Sequence, residues 1–251
     1  NTFLPGTAVE LLVSDISARG LAGKVMGTLD VTADLIHSGA APQALDLEEK
    51  YKVSKKVKAR VICNFPTASE PKLGVSFLDH VTSLQSKSID AAKKSPLEKL
   101  SISALVEKCT ITKVEPEVGV FVDVGVKGVP GFVHISRLKD GKVDMLSQTT
   151  GPFCLGATHA GRVVGYNAMD GLFQLSFEKS VLEQPFLRVE DVPVGGVVDG
   201  VIEKLIVGPN GVDGILVKIA EGITGLVPEM HLADVKLQHP EKKFREGMKV
   251  K

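Results

Sequence analysis

The sequence predicts an all-β protein made of tandem five-stranded barrels. Three observations carry that prediction. Apolar residues alternate with polar ones over short runs, the period of a strand with one buried face. Gly and Pro cluster between the runs, where chains turn. The same order of runs recurs three times along 251 residues. Glycines at Gly20, Gly119 and Gly214 open the second run of each copy, 99 and 95 residues apart. So long a period means separate domains in tandem, not a stacked solenoid.

The first copy is read as five strands. Pro5–Ser17 and Gly20–Met26 lead, and Val31–Ile36 follows. A loop with Pro42 and the acidic run Leu45–Glu49 precedes the fourth strand, Val53–Ile62. There Val57, Ala59 and Val61 fall on one face and Lys56, Lys58 and Arg60 on the other. Gly74–Phe77 closes the copy. Five short strands with a long connection before the fourth outline an OB-type Greek-key barrel. The second copy runs Cys109–Val114, the hairpin Val118–Ser136, a loop over Leu138–Phe153, then Thr158–Val164 and Phe173–Phe177. The third has Val197–Leu205, Gly214–Ile219 and Gly225–Val227, and its fourth strand begins at Lys249. The expected domains are 3–80, 101–179 and 193–251, with linkers at 81–100 and 180–192. The third is expected to lack its fifth strand. The first linker is Ser/Lys-rich and reads as flexible and solvated, with a phosphate contact as the alternative.

The Val118–Ser136 hairpin is the most informative stretch. Val120, Val122, Val124, Val133 and Ile135 share one face, which forces Phe121, Phe132 and His134 to the other. Two phenylalanines on the polar phase of adjacent strands read as a stacking platform for flat ligands, of which bases are the commonest. Cover by a neighbouring domain or loop is the other reading.

Lys and Arg total 30, and so do Asp and Glu, so no global basic footprint marks a nucleic-acid protein. Cys63, Cys109 and Cys154 are far apart, have no metal-ligand spacing and read as small buried residues. No apolar run approaches a membrane span. Gly125–Gly131 joins two strands, whereas a dinucleotide fingerprint opens a helix. The sequence shows no phosphate loop and no nucleophile elbow. No enzyme, cofactor, metal or small-molecule substrate is expected, and no membrane.

G-V-F-V-D-V-G followed by G-F-V-H-I-S resembles the signature of the S1-type OB domains, an RNA-binding family. T-H-A-G-R-V-V-G-Y-N-A-M-D, G-L-V-P-E-M-H-L-A-D and P-E-K-K-F-R-E-G are similar to consecutive repeats of the ribosomal RNA processing protein five family, large eukaryotic nucleolar factors. This resemblance implies a nucleolar, non-enzymatic scaffold of ribosome biogenesis, with precursor ribosomal RNA and other assembly factors as partners. It also implies a ligand face on strands two and three. There Phe121 and Phe132 would stack bases, His134 would stack or hydrogen-bond, and Arg162 would meet a phosphate. The first copy has Ala22, Thr32 and Asp34 at the hairpin positions, and the third has Leu216, Leu226 and Pro228. Neither offers that stacking surface. Lys56, Lys58 and Arg60 give the first copy a basic strand that is either a further RNA contact or a solvated face. The rival reading of the whole chain is a protein-interaction scaffold with little RNA contact.

Overall fold

The computed structural model describes residues 3–39, 47–65, 69–89, 93–209, 211–235, 237 and 239–251. Pro42 and the start of the acidic run lie outside them. The chain divides into two compact units, Asn1–Glu178 and Lys179–Lys251. Among the described residues no helix is long and apolar enough to cross a membrane.

The first unit holds two closed barrels. Strands β1 (Ala8–Ser17), β2 (Gly20–Val25), β3 (Leu29–Asp34), β4 (Lys56–Phe65) and β5 (Lys72–Ser76) close in the order β1-β2-β3-β5-β4. Strands β6 (Leu105–Glu115), β7 (Gly119–Asp123), β8 (Gly131–His134), β9 (Thr158–Asn167) and β10 (Leu172–Ser176) repeat that order, with β10 parallel to β8 as β5 is to β3. The alternation works as expected inside each barrel. Leu11, Val13, Val61 and Val75 fill the first, and Val120, Val122, Val133 and Phe173 fill the second, all buried. Each fully buried Val, Leu or Phe contributes about 1.5–3 kcal/mol. Helix α1 (Leu47–Lys50) adds Leu47 and the following Tyr51 to the first core, where the Tyr51 hydroxyl donates to the Ser38 carbonyl at 2.9 Å.

The repeat extends to irregularities. The first strand of every copy carries a bulge, at Val13/Asp15, Ile111/Lys113 and Ile202/Lys204. A bulge bends a strand and lets it pair on both edges, which closure demands. Gly20 and Gly119 face Asp34 and His134 across the second and third strands. Their φ values are +144° and +152°, and a Cβ would lie 2.0 Å from Ala33 O or 2.1 Å from Val133 O. Only glycine fits there.

The second unit is a four-stranded sheet of β11 (Gly200–Gly208), β12 (Gly211–Ala220), β13 (Ile223–Pro228) and β14 (Lys249–Val250), in the order β13-β12-β11-β14. Its core is small, centred on Ile202, Ile215 and Val217.

The first linker departs from the flexible expectation. Ile89 is buried in the second barrel's core cluster, and its backbone bridges Lys94. Lys87 Nζ donates to Gly171 O at 2.9 Å, and His80 Nε2 lies 2.8 Å from Met169 O. His37, from the loop after β3, meets Asp170 at 3.1 Å. The turn between β9 and β10 therefore engages both the linker and the first barrel. Burying Ile89 offsets the entropy cost of ordering a Ser/Lys-rich segment.

Candidate nucleic-acid interface

Register places one row of residues across the outer face of the second barrel. Lys113, Phe121, Phe132, Gln174 and Gly165 are successive cross-strand partners. The first barrel has Asp15, Ala22, Thr32, Gly74 and Cys63 at the same places. The third sheet has Lys204, Leu216 and Leu226. The sequence alignment of Phe132 with Thr32 and Leu226 therefore coincides with the strand pairing.

Within this row the two phenylalanines differ. Their ring centroids are 5.1 Å apart with planes inclined at 54°, an ordinary tilted aromatic pair. Phe121 is only 3% exposed, so the expected open platform is half closed. Lys113 Nζ lies 6.0 Å from its ring centre, and Phe132 packs against the same ring. Lys113 is itself paired with Glu115 at 2.7 Å. Phe132 is half-buried and His134 is exposed. Phe121 thus backs Phe132, and the reachable surface is the Phe132 ring with the His134 imidazole two residues on.

Strand β8 ends at His134, where the sequence pattern had continued to Ser136. A 3-10 turn, Ile135–Arg137, starts there instead. His134 caps it: the Ser136 N–H donates to Nδ1 at 3.2 Å, and the Ser136 hydroxyl lies 2.8 Å from the same nitrogen. With Nδ1 an acceptor, the neutral ring carries its proton on Nε2 and can donate there.

The two arginines that the repeats place at matching points match in structure too, as clamps on backbone. Arg60 is the partner of Ser76 and Arg162 the partner of Ser176. Arg60 Nε and Nη2 both donate to Thr82 O, at 3.3 and 2.6 Å, and Nη1 donates to Gly6 O at 2.5 Å. Arg162 is 5% exposed and its Nε donates to Ser103 O at 3.0 Å. A guanidinium committed to carbonyls in this way is withdrawn from the ligand face. Lys56 and Lys58 are exposed on β4, but Lys56 lies 4.0 Å from Glu10 and Lys58 is paired with Glu10 in register. They belong to the first barrel and not to the Phe121–Phe132 row of the second. The acceptors Thr82 and Ser103 sit outside the strands, and no periodic pattern in the sequence points to them.

In the third sheet Leu226 is 60% exposed and Pro228 faces Gly214 where the second barrel has His134. That face is aliphatic.

A model of the RRP5 OB-fold domain matches residues 95–187, and one of the RRP5 S1 domain matches residues 195–251. The rRNA biogenesis protein rrp5 of Schizosaccharomyces pombe is 45% identical over 249 residues, covering 99% of this chain and 14% of the relative. The protein RRP5 homolog of Mus musculus is 32% identical over 256 residues, covering 100% of this chain and 12% of the relative. A small ribosomal subunit protein bS1 homolog from Bacillus cereus is 27% identical over 164 residues, covering 65% of this chain and 40% of that protein. The chain thus corresponds to a short span of much longer proteins. Two consecutive repeats match domain models of one family, and identity runs through almost the whole chain: this protein belongs to the RRP5 family.

Proposed function

We propose that this chain is a non-enzymatic RNA-binding scaffold of ribosome biogenesis, which contacts precursor ribosomal RNA through its second barrel and works in the nucleolus among other assembly factors. The observation that supports it best is the paired Phe121 and Phe132 on the ligand face of an S1-type barrel in a chain of the RRP5 family. Phe132 stacks a base, Phe121 holds it in place from beneath, and His134 Nε2 donates to the base or its sugar. Lys56 and Lys58 are a secondary, electrostatic contact on the first barrel.

Magnitudes make this a weak site taken alone. Stacking on one ring is worth about 1–3 kcal/mol, while 1 mM affinity needs about 4 kcal/mol. Residues 101–180 carry eight basic and eight acidic side chains, so phosphate attraction adds little. Useful affinity comes from linked repeats acting by effective concentration. Crosslinking the full-length protein to RNA and mapping the modified peptides tests the reading. Adducts are expected within residues 131–139. Adducts confined to other barrels would refute the assignment.

A further inference from the structure

The Phe121–Phe132 row does not face open solvent along its whole length. It floors a cleft of about 640 Å³ between the first two barrels of the first unit. The first barrel contributes Arg19, Asp34, Leu35 and Ile36, and the second adds the Glu115–Val118 turn, Asp170 and Leu172. Four carboxylates therefore stand around an apolar floor, against one guanidinium. Glu115 is paired with Lys113 and Asp170 with His37. Asp34 and Glu117, one on each wall, are exposed. Asp34 Oδ1 accepts the His37 N–H at 2.7 Å, which fixes the carboxylate at the rim and leaves its charge in place.

We infer that this cleft is a docking groove for a basic protein segment, with an aliphatic side chain seated on the Phe132–Leu172 floor and Lys or Arg side chains meeting Asp34 and Glu117. The occupant follows from charge complementarity. A phosphate backbone entering between the walls meets a surplus of negative charge, and low-dielectric walls strengthen that repulsion. A basic segment meets attraction from both sides. The volume lies in the range of pockets that hold a few side chains. Phe132 floors the cleft and is also the stacking ring of the RNA reading, so a peptide and a base compete there, whereas His134 lies outside the lining and belongs to the RNA reading alone. The inference goes beyond the RNA reading and does not depend on it.

The test uses the 251-residue chain and a short fluorescein-labelled peptide of alternating Arg and Leu. A Glu–Leu peptide and single-stranded oligouridylate are the controls. The Arg–Leu peptide should bind, with amide shifts concentrated at residues 34–36, 115–118 and 170–174. Glu117→Lys should weaken it about tenfold, and Arg19→Glu should strengthen it comparably. Both residues are exposed, and thermal unfolding of each variant checks that the fold is kept. Unchanged affinity in folded variants, or shifts outside the cleft, would overturn the inference. Loss of RNA crosslinks at His134 with peptide binding intact would instead count against the RNA reading alone.

Discussion

His37 Nε2 lies 3.1 Å from Asp170 Oδ1 and joins the first barrel to the second. His37 is buried, and its Nδ1 is 3.0 Å from the Ser76 hydroxyl. Asp170 also accepts from Asn167 Nδ2 at 2.7 Å, which shapes the turn that holds Lys87 and His80. Asp170→Ala removes the acceptor and leaves the His37 ring without its partner. A loss of about 1–3 kcal/mol is expected, together with faster tryptic cleavage at Lys87. Unfolding and proteolysis measured on the same variant check this. Wild-type values in both would mean that the joint is held by something else.

Arg162 is expected to matter for stability and not for RNA. Its guanidinium is buried and ties the segment before β6 to β9 through Ser103. Lysine keeps the charge but not the planar fork. Arg162→Lys should therefore cost about 1–3 kcal/mol and leave RNA affinity per folded molecule unchanged. Arg60→Lys should behave likewise through Thr82 and Gly6. A folded, fully stable Arg162→Lys that binds RNA more weakly would return this residue to the ligand face.

The strands were legible in the sequence because one buried face per strand leaves a period-two record. The equivalence of Gly20, Gly119 and Gly214 was legible as well, since each must sit against the backbone of the third strand. What period two cannot report is what lies over the outer face. That is why the polar phase places Phe121 in the open, whereas Lys113 and Phe132 cover it at the base of the cleft. The backbone contacts of the arginines escape period two for a related reason. Their acceptors are single carbonyls brought near by closure of the barrel, 22 residues away for Arg60 and 59 for Arg162. The first linker looked like solvent-facing chain because its composition is polar. Ile89, with Leu97 and Leu100 packed on the same core and Lys87 bonded to Gly171 O, docks it.

Alkaline pH should destabilise the chain in a defined window. Burial, aided by Asp123, pushes the Cys109 thiol from 9.0 up to about 11. Burial, aided by Asp79, pushes the Tyr51 hydroxyl from 10.0 up to about 12. Between each pair of values the unfolded chain has released the proton and the native one still holds it. The unfolded state then binds fewer protons, so stability falls as pH rises. The fall begins near pH 9 with Cys109 and is joined near pH 10 by Tyr51. Burial lowers the Lys87 ammonium, which works the other way below its ordinary 10.5 and offsets part of the loss. For Cys109, which is fully buried, the loss by pH 11 is about 2–3 kcal/mol. Urea midpoints at pH 8 and pH 10.5 should differ, and Cys109→Ala should shrink the difference. An equal drop in wild type and variant would remove Cys109 as its source.

RNA is proposed to meet the second barrel at Phe132 and His134. The most direct measurement pairs single-stranded RNA affinity with thermal unfolding for Phe132→Ala combined with His134→Ala. Affinity should fall by about 1–3 kcal/mol for the lost stack, with a further smaller loss for the hydrogen bond. Unfolding should shift by about 1–3 kcal/mol with the fold kept, because Phe132 covers Phe121 and His134 caps the Ile135–Arg137 turn. Unchanged RNA affinity in a folded double mutant would mean that RNA does not bind at Phe132 and His134.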